Sequence, residues 1–82
     1  MKMIRFTVTQ KHIDNGIPLT GKMCPIALAL NDKFPQAYIS VISQSILVND
    51  ILYKTSQKLM EFIWKVDQGR VVQPSTFQIT RY

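Results

Sequence analysis

The 82-residue chain holds one cysteine, Cys24, and one histidine, His12, the two residues whose types fit a nucleophile and its base. Cys24 directly precedes Pro25, and proline suits the first position of a helix because its missing N–H is not needed there. A thiol at a helix N-terminus meets free N–H groups and the positive end of the helix dipole, which favour the thiolate. Together, Cys24 and His12 would serve acyl or nucleotidyl chemistry. Against this stands the run Pro25-Ile26-Ala27-Leu28-Ala29-Leu30, apolar throughout. Free cysteine is among the most buried residue types, so a packed thiol at the helix start is the stronger reading.

The stretch from Gly16 to Met23 follows the phosphate-loop pattern G-x-x-x-x-G-K as far as Lys22. The next position must be Ser or Thr to hold Mg²⁺, and here it is Met23, so the nucleotidase reading fails. A more general anion site survives, with Lys22 just before an exposed helix start whose N–H groups favour negative charge. Lys11 and His12 lie on a polar turn upstream, and the candidate ligand-binding set is Lys11, His12, Lys22 and Cys24. The five acids, Asp14, Asp32, Asp50, Glu61 and Asp67, form no close pair and no metal-ligand spacing. Neither a catalytic set nor a metal or other cofactor is assigned, and an enzyme is the less favoured class.

Ten Lys and Arg against five Asp and Glu give a formal net charge of +5. That balance favours anionic partners and excludes a carboxylate-rich DNA mimic, although the bases are scattered and form no run. Aromatic residues near bases, Phe6 or Tyr38 with Arg5 and Phe77 or Tyr82 with Arg81, would suit a stacking platform. Phe6 and Phe77, however, fall on core-facing positions.

Ile4, Phe6 and Val8 alternate with Arg5, Thr7 and Thr9, the period of a strand with one buried face. Gln10 to Gly16 reads as a short helical turn, with Gly16 as a left-handed stop. Gly16, Pro18 and Gly21 make a loop of Ile17 to Met23. A helix from Cys24-Pro25 to about Lys33 is buried, and Pro35 ends it. Gln36 to Ser43 and Ser45 to Asn49 form a hairpin about Ser43-Gln44-Ser45. A third helix starts at Thr55 or Ser56 and stops at Gly69, with Leu59, Phe62, Ile63 and Val66 as its core face. Met60 and Trp64 widen its apolar arc to roughly 200° at about 100° per residue, more than one sheet contact uses, and so mark an oligomer or partner interface. Phe77, Ile79 and Arg81 alternate with Thr76, Gln78 and Thr80 in a last strand, with Pro74 at its start.

The expected fold is therefore α+β, a single domain over residues 1–82 in the order β-α-α-β-β-α-β, with a four-stranded, largely antiparallel sheet packed on helices. A chain this short buries only about 60% of its unfolded surface, so a homo-oligomer is expected. The lone cysteine and the start Met1-Lys2-Met3-Ile4-Arg5-Phe6, which lacks an apolar signal run, point to the cytoplasm. No stretch reaches the roughly 18 apolar residues of a membrane helix.

Thr7-Val8-Thr9-Gln10-Lys11-His12-Ile13 with Gly16, and then Cys24 to Leu30, resemble a family of small bacteriophage and cyanobacterial proteins. Phe62-Ile63, Asp67, Gly69 and Pro74 to Phe77 are similar too, so the likeness spans most of the chain, while the loop Ile17 to Met23 departs from it. The resemblance brings no activity. It implies a phage accessory protein in the host cytoplasm that binds a host component or signal. The function expected is thus a non-enzymatic binding module for an anionic ligand, nucleotide or nucleic acid, or for a host protein, serving counter-defence by sequestering a nucleotide immune signal. The alternatives are an inhibitor that binds a nucleic-acid complex and an enzyme built on Cys24 and His12.

Overall fold

The structure is a computed structural model that describes residues 2–42 and 44–82. Met1 and Ser43, the latter within the expected hairpin turn, lie outside the described residues. The first strand, β1 (Met3–Val8), buries Ile4, Phe6 and Val8 and exposes Met3, Arg5 and Thr7, as its period-two pattern requires. Thr9 then caps α1 (Gln10–Asn15).

Gly16 corrects the expectation of a left-handed stop. Its φ of −73° and ψ of 148° are open to any residue. What requires glycine there is proximity, because a Cβ would lie 2.5 Å from Cδ and Cγ of Pro25. The loop that follows packs back onto the next helix.

That helix, α2 (Pro25–Lys33), is apolar on nearly every side and buries Pro25, Ile26, Ala27, Ala29 and Leu30. Such a helix must be enclosed, and the sheet curls around it. The expected hairpin is present as β2 (Ile39–Ile42) and β3 (Ser45–Val48), but a further strand, β4 (Ile51–Lys54), extends it into a meander. Among the described residues there are thus five strands rather than four, all paired antiparallel in the order β1-β5-β4-β3-β2. The additional turn is made by Asn49 and Asp50, both left-handed at φ 48° and 68°. This is the backbone of a tight two-residue hairpin, without the Asn-Gly pair that usually marks one.

The third helix, α3 (Gln57–Asp67), is capped by Ser56, whose Oγ accepts from Leu59 N–H at 3.2 Å. It buries Leu59, Phe62 and Val66, with Ile63 half-buried. Gly69 does take the expected left-handed conformation, φ 73°, and closes the helix with bonds from Gly69 N–H to Val66 O and from Arg70 N–H to Lys65 O. The last strand, β5 (Ser75–Arg81), pairs with β1 along the whole of β1 but meets β4 only at Tyr53–Arg81 and Lys54–Thr80. One core joins the inward faces of the strands to α2 and α3. No helix among the described residues is long and apolar enough to cross a membrane.

Candidate functional site

The residues singled out from the sequence do not form one cluster: His12 and Cys24 line different concavities. His12 is buried at 8% exposure and completes a capping box: its N–H donates to Thr9 Oγ1, and its Nδ1 accepts from Thr9 N–H at 3.0 Å. Its Nε2 faces Asp32 Oδ2 at 2.5 Å. Both ring nitrogens are engaged. Asp32 lies eight residues beyond Cys24 along α2, so the helix rise of about 1.5 Å per residue puts some 12 Å of helix axis between Cys24 and His12's partner. The structure does not bring Cys24 and His12 together.

Cys24 itself is buried, and so are Pro25, Ile26 and Ala27. The helix start expected to be exposed is covered, because the preceding loop is tied down over it. Ile17 N–H donates to Met23 O, Leu19 N–H to Asp67 Oδ1 and Val41 N–H to Gly21 O, at 2.8, 3.0 and 2.7 Å. Leu19 is held left-handed at φ 64° in that loop. A phosphate cradle needs free N–H groups, and those of Ile17 and Leu19 are already taken by Met23 O and Asp67 Oδ1. Lys22 sits with its ammonium 4.7 Å from the Tyr38 ring centroid, and Lys11 is exposed on α1. Burial pushes the Cys24 thiol above its ordinary pKa, against the lowering effect of the Ala27 and Ile26 N–H groups, with the Asp67 charge adding to the rise.

Two results follow for Cys24. In the native protein at pH 8, iodoacetamide should label it at least about tenfold more slowly than in urea. A thiol with a raised pKa binds more protons folded than unfolded in the window above the unfolded value. Its contribution to stability is therefore complete below about pH 8 and is lost as pH rises above about 8.5. Urea titrations at pH 7, 8 and 9.5 check this, and Cys24→Ala should flatten the decline.

Trp64 is half exposed, with the Arg70 guanidinium 4.8 Å from its ring centroid, whereas Met60 is half-buried. Tyr82, expected near Arg81, bonds instead to Ser45, with the two hydroxyls 2.8 Å apart. Among the described residues no group of His, Cys, Asp and Glu is placed to hold a metal ion.

The arrangement with chemical potential lies where the outward face of the sheet meets the start of α3, a place the sequence did not single out. Because β5 runs on beside β1 after β4 has turned away through Thr55 and Ser56 into α3, a cleft of about 550 Å³ opens between them. Arg5 from β1, Lys54 from β4 and Lys58 from α3 line it, together with Thr55, Ser56, Thr76, Gln78 and Thr80, over a floor of Phe77. No carboxylate takes part. Asp14, Asp32, Glu61 and Asp67 are on helices and Asp50 is in the β3–β4 turn.

One of these cations, Lys58, is held in place. Lys58 Nζ donates to Thr76 O at 3.1 Å and lies 5.1 Å from the Phe77 ring centroid, leaving two ammonium donors for another acceptor. Lys58 also occupies the first turn of α3, where no acid balances the positive end of the dipole. A cation there opposes the usual preference for negative charge, and an anion in the cleft would relieve both. The signal available in the sequence was alternation, which puts Arg5, Gln78 and Thr80 on the outward side of their strands; the register then sets Arg5 opposite Gln78 and Lys54 opposite Thr80. No family model, curated protein or solved structure was found to match this chain.

Proposed function

We propose that this protein is a non-enzymatic binding module for a phosphate-bearing anionic ligand, held in the cleft of Arg5, Lys54 and Lys58. The carrying observation is the convergence of three cations from three elements, with hydroxyl and amide donors between them and no carboxylate. Arg5 supplies a planar guanidinium suited to two phosphate oxygens, and the two lysines supply point charges. The separation of His12 from the buried Cys24 weighs against an enzyme built on that pair. In the phage setting implied by the sequence resemblance alone, the ligand is a host nucleotide or nucleic acid, and its capture serves counter-defence.

The test is fluorescence anisotropy with a labelled oligonucleotide, with ATP and tripolyphosphate as competitors, at about 50 mM salt. Arg5→Glu with Lys54→Glu should weaken binding at least about 30-fold. Lys11→Glu with Lys22→Glu removes the same net charge away from the cleft and should change affinity by less than about threefold. If the second pair abolishes binding and the first leaves it intact, the cleft is not the site. Both variants are checked by circular dichroism.

A further inference from the structure

The cleft continues past Arg5. A second concavity, of about 650 Å³, shares Arg5 and Thr76 with the first and turns around the free edge of β1 to reach Lys33, His12 and Asp32. Its outer cation is also pinned, since Lys33 Nζ donates to Arg5 O at 2.7 Å and so occupies one of the outward carbonyls of the edge strand. Thr7 and Thr76, whose hydroxyls are 2.9 Å apart, lie where the two concavities meet.

Lys54 and Lys58, then Arg5, then Lys33 thus follow one path across β4, β5 and β1. Arg5 and Lys54 are two strands and two residues apart, about 12 Å between Cα atoms at ~4.8 Å per strand and ~3.4 Å per residue. Lys33 Nζ, bonded to the outward carbonyl of Arg5, extends this past the sheet edge by about one more strand spacing, to roughly 16 Å. The one carboxylate on the path, Asp32, faces Nε2 of His12. A mononucleotide would occupy only one end of such a path.

We infer that the ligand is a single strand of nucleic acid, gripped by its phosphates along a groove from Lys58 and Lys54 through Arg5 to Lys33. This rests on the reading of the cleft as a phosphate site and adds the kind of ligand. Phe6 and Phe77, the aromatic residues among those lining the groove, are each 3% exposed and present no ring face for stacking. Recognition is therefore through the backbone and indifferent to base identity. Four phosphate contacts give a slope of log affinity against log salt of about −2 to −3 for a single strand.

The experiment measures anisotropy of labelled dT3, dT6, dT12 and dA12. The expected result is equal affinity for dT12 and dA12, a plateau by about six nucleotides and roughly tenfold weaker binding of dT3. Lys33→Ala should weaken dT12 by about three- to tenfold, reduce the salt slope by about 0.7 and leave dT3 unchanged, and Lys33→Arg should restore dT12 binding. If dT3 or ATP binds as tightly as dT12, and Lys33→Ala has no effect, the continuous groove is overturned while the phosphate cleft stands. If neither oligonucleotides nor ATP and tripolyphosphate bind, both are overturned. A strong preference between dT12 and dA12 overturns the backbone mode.

Discussion

Phe77→Ala should lower the unfolding free energy by about 3 to 5 kcal/mol, the range for removing a buried aromatic ring. Phe77 is 3% exposed and lies between Phe6, at 6.0 Å between ring centroids, and Phe62, at 5.0 Å with the rings nearly edge to face. Those contacts join β1 to β5 and β5 to α3, so the cavity would open where the two halves of the core meet. A domain of this length has roughly 4 to 12 kcal/mol in total at 0.05–0.15 kcal/mol per residue. At about 4 °C or more per kcal/mol, Tm should fall by at least about 12 °C. Urea titration followed by circular dichroism is the measurement, and a loss below about 1 kcal/mol would show that the ring does not anchor α3. Phe77→Leu keeps most of the volume and should cost about 1.5 kcal/mol or less. It also removes the aromatic face near the Lys58 ammonium, so binding in the cleft should weaken by a few-fold while the fold persists.

Gly16→Ala should cost about 3 kcal/mol, the upper end of ordinary overpacking penalties. The added Cβ would stand 2.5 Å from Cδ and Cγ of Pro25 and 2.6 Å from its nitrogen. Neither side can yield readily: Pro25 is buried in the first turn of α2, and its ring has no rotamer to change. Gly69→Ala is the contrasting case. Gly69 is left-handed at φ 73°, yet a Cβ there would meet nothing within 4 Å, so only the conformational penalty of about 1 kcal/mol applies. Chemical denaturation of the two variants side by side separates the causes. Equal losses would mean that the loop after α1 moves away from Pro25 without cost.

These positions matter to the proposed site because the groove is a by-product of how the core is closed. α2 is enclosed by the curl of the sheet, β4 leaves β5 early to lead into α3, and the gap between them is where Lys54, Lys58 and Arg5 converge. Ser56 satisfies Leu59 N–H, but the first turn of α3 carries Lys58 in place of an acid. A protein concerned only with stability would place a carboxylate there. This local conflict of sequence and dipole is the kind expected at a functional position.

The elements whose patterns are local were legible in the order of residues alone. Alternation in Ile4-Phe6-Val8 and Phe77-Ile79 set the inward faces of β1 and β5, the i, i+3, i+7 spacing of Leu59, Phe62 and Val66 set that of α3, and Cys24-Pro25 marked the start of a buried helix. The same order also identified Cys24 as a packed thiol. Ile51–Lys54 did not declare itself, because a four-residue strand with apolar residues side by side at Ile51 and Leu52 has no clear alternation, and Asn49-Asp50 lacks the glycine of the usual turn. The role of Gly16 was equally hidden, since its close neighbour Pro25 lies nine residues on and only the packing of the loop brings them together. The candidate site depended most on tertiary structure. Arg5, Lys33, Lys54 and Lys58 are scattered through 54 positions of the chain, and no spacing along it distinguishes them from the other bases. Antiparallel pairing of β5 between β1 and β4 brings Arg5 and Lys54 to one side of the sheet, and the packing of α2 and α3 brings Lys33 and Lys58 beside them, because charge acts through space while a sequence orders it only along the backbone.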